Sequence, residues 1–62
     1  MKVKIKSFNG ELPRCFSEGV VYIVDNTEDL YGGWVYGNDD EAHFIQINGC
    51  SYLNGGSWDV VE

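Results

Sequence analysis

Alternation opens the chain. In Lys2-Val3-Lys4-Ile5-Lys6 charged and β-branched side chains take turns, and a period of two predicts a first strand with Val3 and Ile5 facing inward. Ser7 to Glu18 loses that rhythm. Asn9-Gly10 and Pro13 mark turns there, while Phe8, Leu12, Cys15 and Phe16 are scattered as a loop needs if it is to fold back onto a core. Gly19 then releases Val20 to Val24, a branched and aromatic run that predicts a second strand. Tyr22 and Val24 share one of its faces and Val21 and Ile23 the other, so both faces are apolar. A core covers one; the other calls for a loop, a partner protein or a second copy of the chain. After the acidic connector Asp25 to Asp29, the pair Gly32-Gly33 precedes Trp34-Val35-Tyr36, a third strand expected from Gly33 to Gly37. Gly37 to Glu41 reads as a turn and Ala42 to Asn48 as a fourth strand. His43, Ile45 and Ile47 lie on one face of that strand and Ala42, Phe44 and Gln46 on the other. A bulge would exchange them, so the pattern leaves the inner face open. Asn48-Gly49 turns again, Tyr52 to Gly56 reads as a short helical turn or loop, and Trp58 to Val61 closes the chain as a fifth strand.

Sixty-two residues make a single domain, 1–62. A chain of this size buries only about 60% of the surface that its unfolded form exposes. Large rings are the efficient way to build its core, and the chain has Phe8, Phe16, Tyr22, Tyr31, Trp34, Tyr36, Phe44, Tyr52 and Trp58. So small a fold cannot hide all of them. The rings left partly in water are candidates for a contact surface, since exposed Trp and Tyr are what protein interfaces favour. Trp34, Tyr36, Tyr31 and Tyr52 are the candidates here. For Trp34 the sequence leaves two readings open, a contact residue or an inward core residue.

Charge removes several functions. The formal net charge is −6, which argues against direct nucleic-acid binding, because phosphate backbones need clustered Lys and Arg. Lys2, Lys4 and Lys6 read as a solvated strand face that also protects an edge from pairing. No apolar run approaches eighteen residues and no signal-peptide core is present, so no membrane association and a cytoplasmic location are expected. In that compartment Cys15 and Cys50 are expected to stay reduced. No Cys/His spacing suggests zinc. Asp25, Glu28 and Asp29, and again Asp39, Asp40 and Glu41, lack the full ligand loop of a calcium site. His43 has no catalytic partner at motif spacing, the serines lie in turns, and neither Gly32-Gly33 nor Gly55-Gly56 continues into a P-loop. The expectation is a non-enzyme with no catalytic residue, metal or cofactor. An alternative from another class is an acidic inhibitor that mimics nucleic acid and blocks a host enzyme that binds it.

The order of the elements carries a resemblance. Gly19 opens the second strand, Asn26-Thr27-Glu28 forms the connector, Gly33-Trp34 opens the third strand and a short strand closes the chain. That order resembles the Src-homology-3 (SH3) type barrel, which implies an all-β fold, a five-stranded SH3-like small barrel. The lysine-rich first strand, Gly19-x-x-Tyr22-x-Val24 and the ending Asp59-Val60-Val61-Glu62 also resemble small barrel proteins encoded by phages and mobile elements. The resemblance implies a small protein-interaction module, an accessory protein binding a host or phage protein. Trp34, Tyr36, Tyr31 and Tyr52 would meet the partner, with Glu28 and Asp29 of the connector beside them. The chain departs from the peptide-binding members at two places. Their Ala-Leu-Tyr-Asp-Tyr motif reads Ile5-Lys6-Ser7-Phe8-Asn9 here, and the turn before the last strand has Tyr52 but no proline. Recognition of proline-rich peptides is therefore not expected. Self-association through Val21 and Ile23 is.

Overall fold

Five antiparallel strands form one sheet in the order β4-β3-β2-β1-β5. They are β1 (Lys2–Ser7), β2 (Tyr22–Asp25), β3 (Gly32–Tyr36), β4 (Ala42–Gln46) and β5 (Ser57–Val61), with one 3₁₀ turn, Ser51–Leu53, before the last strand. The structure is a computed structural model and describes residues 1–25 and 32–61. The chain is all-β, with no α-helix among the described residues. The sheet is open: β4 and β5 are its edges and share no ladder. They approach through the Cys50–Gly56 bridge and one hydrogen bond, from the Trp58 N–H to the Ile47 carbonyl at 2.8 Å.

Alternation settles the faces. Val3 and Ile5 are buried on β1, with its lysines exposed. On β2, Tyr22 and Val24 are buried, whereas Val21, just before the strand, and Ile23 lie in water. On β4, Ile45 faces the core and Phe44 is exposed, so the inner face is that of His43, Ile45 and Ile47. Each strand differs from its expected bounds by one or two residues. β2 begins at Tyr22 rather than Val20, because Gly19 takes φ +84° and pairing with β1 starts only at Val3↔Tyr22. β4 ends at Gln46 rather than Asn48, and the next residue, Ile47, turns its carbonyl to Trp58. β3 begins one residue early, at Gly32. A Cβ there would run into the Ile45 carbonyl, so the close β3–β4 approach needs a glycine.

The core is organised around a loop residue, Phe16. Its ring meets Tyr22, His43, Tyr52 and Trp58 edge-on, with centroids 5.1–5.6 Å apart. Loops normally lie outside a core because their backbone must be hydrated or paired. Here Asn38 supplies the pairing. Its backbone N–H donates to the Cys15 carbonyl at 2.7 Å, and its side-chain NH₂ donates to the Ser17 hydroxyl at 2.9 Å and the Arg14 carbonyl at 3.3 Å. The Tyr22 hydroxyl completes the knot, donating to Asn38 Oδ1 at 3.0 Å and accepting the Ser17 N–H at 2.7 Å. The β3–β4 turn thus clamps the long loop, and the clamp delivers Phe16 to the core.

Candidate functional site

With Tyr22, Val24, Val35 and Ile45 turned inward, their neighbours in sequence must point out. Val21, Ile23, Trp34, Tyr36 and Phe44 therefore share the outer surface of β2, β3 and β4. Ile23 and Tyr36 are 62% and 61% exposed and Trp34 is 48% exposed, which decides its position: it is a surface residue, not core. Trp34 stands directly across from Phe44 in the β3–β4 ladder, and their rings meet edge-on at 5.4 Å. Such cross-strand aromatic pairs stiffen a sheet surface without burying it. Trp34 also faces Asp25 across the β2–β3 ladder. Between the two strands runs a groove of about 350 Å³ lined by Val21, Tyr22, Ile23, Asp25 and Tyr36. Val21, Ile23, Trp34, Tyr36 and Phe44 thus leave largely apolar side chains exposed on one face. Exposed apolar patches of this kind often mark interaction sites.

The expected contact residues separate. Trp34 and Tyr36 lie together on the outer face. Tyr52 is half-buried on the inner side, its ring edge-on to Phe16 and His43. Tyr31, Glu28 and Asp29 lie outside the described residues. Phe44 was missed in the sequence because the inner face of its strand was open; once Ile45 is placed inside, Phe44 follows.

A second constellation surrounds His43. Its Nε2 lies 3.1 Å from both carboxylate oxygens of Asp39, and its Nδ1 is 3.3 Å from the Tyr52 hydroxyl. A carboxylate only accepts, so Nε2–H donates to Asp39 and in the neutral ring Nδ1 accepts from Tyr52. The hydrogen bond from His43, followed by one from the Glu41 N–H, holds the Asp39 carboxyl below its ordinary range. Both imidazole nitrogens are engaged within the fold, so the chain Asp39–His43–Tyr52 ties the β3–β4 turn to the 3₁₀ turn. The i,i+4 spacing of Asp39 and His43 across a turn was its only trace in the sequence.

The cysteines are free and buried. Burial pushes the Cys15 thiol up, and the charge of Asp39 adds to it, the opposite of what a reactive thiolate needs. Among the described residues no three His, Cys, Asp or Glu side chains gather as a metal site would require. No described helix is long and apolar enough to cross a membrane. Comparison with known proteins adds no relative, since no family model, curated protein or solved structure matches the chain.

Proposed function

We propose that the chain is a small protein-interaction module, of the accessory type that phages and mobile elements encode, and that its contact surface is the outer face of β2, β3 and β4. The observation that carries this reading is the exposure of Ile23, Trp34, Tyr36 and Phe44 side by side in a chain short of core. Leaving three large rings and an isoleucine in water forgoes burial that a 62-residue fold could use, unless a partner supplies the cover. An SH3-like small barrel is the architecture proposed with it. The strand order with β5 returning beside β1, the 3₁₀ turn before β5 and the Trp58–Ile47 bond between the sheet edges support it. His43 is read as a structural residue rather than a catalytic one, since its two nitrogens are already committed within the fold.

Affinity capture from a host lysate with the wild-type chain and with Trp34→Ala and Tyr36→Ala tests the proposal. A contact ring at the centre of an interface is worth roughly 2 kcal/mol or more, so each variant should hold its partner about 30-fold more weakly while remaining folded. Equal capture by all three would remove the outer face from consideration. Affinity that collapses with added salt and is unchanged in Trp34→Ala and Tyr36→Ala would indicate charge mimicry instead, because an aromatic contact is only weakly screened.

A further inference from the structure

One carboxylate stands in the apolar groove. Among the described residues that line it, Asp25 is the only charged one, with Val21, Ile23 and Tyr36 on the walls. The chain's lysines and its arginine are Lys2, Lys4, Lys6 and Arg14, all described, and none lies within ion-pair distance of Asp25. The chain thus offers an exposed negative charge in the lining of an apolar groove, with Tyr36 also in that lining and Trp34 directly across the ladder from Asp25. Its overall charge of −6 draws cationic partners toward it.

We infer that this groove receives an arginine side chain of the partner protein, its guanidinium on the Asp25 carboxylate and its alkyl stem along Val21, Ile23 and Tyr36. The inference rests on the outer face being the contact surface and names the chemistry that the face accepts. Arginine fits better than lysine for two reasons. Its planar fork can take a carboxylate in two parallel hydrogen bonds, and its weakly hydrated plane stacks on aromatic faces. A cation over Tyr or Trp gains a further attraction from the ring quadrupole. An uncharged apolar ligand would leave Asp25 desolvated and unpaired, which costs affinity. The carboxylate therefore sorts partners as well as attracting them.

The test uses N-acetyl-arginine amide as probe, with N-acetyl-citrulline amide as its neutral isostere, followed by amide chemical shifts of the folded chain. The arginine probe should saturate at millimolar concentration, shift Val21, Ile23, Asp25 and Tyr36, and bind about tenfold more tightly than citrulline. Asp25→Asn, a change at an exposed position, should erase that preference while leaving the spectrum folded. Equal binding of the two probes, shifts elsewhere on the surface, or an unchanged preference in Asp25→Asn would each overturn the assignment. So would light scattering that finds a dimer dissociated by Tyr36→Ala, which gives the face to a second copy. These failures are separable from failure of the contact surface itself. If Trp34→Ala and Tyr36→Ala still weaken partner capture, the surface stands and only the arginine is lost.

Discussion

Replacing Phe16 by alanine probes the whole packing scheme, because one loop ring touches four others. Phe16 is 2% exposed, and its edge contacts to Tyr22, His43, Tyr52 and Trp58 join β2, β4, the 3₁₀ turn and β5. Truncating a buried Phe to Ala costs about 3–5 kcal/mol in transfer and cavity terms. Four edge-on aromatic partners put this site toward the top of that range, since each pair adds ~0.5–1.5 kcal/mol beyond its area. At ~0.05–0.15 kcal/mol per residue a chain of this length holds roughly 3–9 kcal/mol in total. The substitution therefore removes most of the stability. For a domain of this size 1 kcal/mol moves Tm by about 4–8 °C, so a loss of ~4 kcal/mol lowers it by on the order of 20 °C. Phe16→Leu keeps much of the volume and should cost about 1–2 kcal/mol. Thermal and urea unfolding followed by near-ultraviolet circular dichroism measures both, since that signal reports the packed rings. A Phe16→Ala protein melting within a few degrees of wild type would show that the loop is not part of the core, and the account of the fold would fail with it.

Three further outcomes follow from named contacts. Asn38→Ala removes the side-chain bonds to Ser17, Arg14 and Tyr22 that fasten the long loop to the β3–β4 turn; at about 1 kcal/mol per bond, a stability loss of roughly 2–3 kcal/mol is expected, with hydrogen exchange rising first in residues 14–18. Asp39 has its folded-state pKa depressed, so its contribution is present above the unfolded carboxylate value near ~4 and is lost as pH falls through the lower folded value. Carbon-13 titration should show its midpoint move up toward the ordinary range in His43→Ala; an unmoved midpoint would discard the Asp39–His43 bond. Cys15 and Cys50, being buried and free, should resist alkylation in the native protein and take two adducts after unfolding without reductant, whereas adducts that appear only after reduction would mean that they are bridged.

What the sequence determined by itself was local. Period-two alternation is enough to place Val3 and Ile5 inside and the lysines outside, and to identify Val21 and Ile23 as an apolar face in need of cover. Branched and aromatic runs between glycines are enough to locate five strands and the turn before the last. Strand ends were less legible, because they depend on where pairing with a neighbour begins, as at Tyr22, and not on where propensity changes. The tertiary structure decided everything that depends on which strands become neighbours. Trp34 could turn in or out until Val35 met the core and sent it outward beside Phe44. Tyr52 could join it until the 3₁₀ turn carried that ring to the inner side, against Phe16 and His43. Asp25, read in sequence only as one acid of a connector, becomes the charge in a groove because antiparallel register sets β2 beside Tyr36 and Trp34. A carboxylate's meaning comes from the dielectric and the partners around it, and those are supplied by residues far away in the chain.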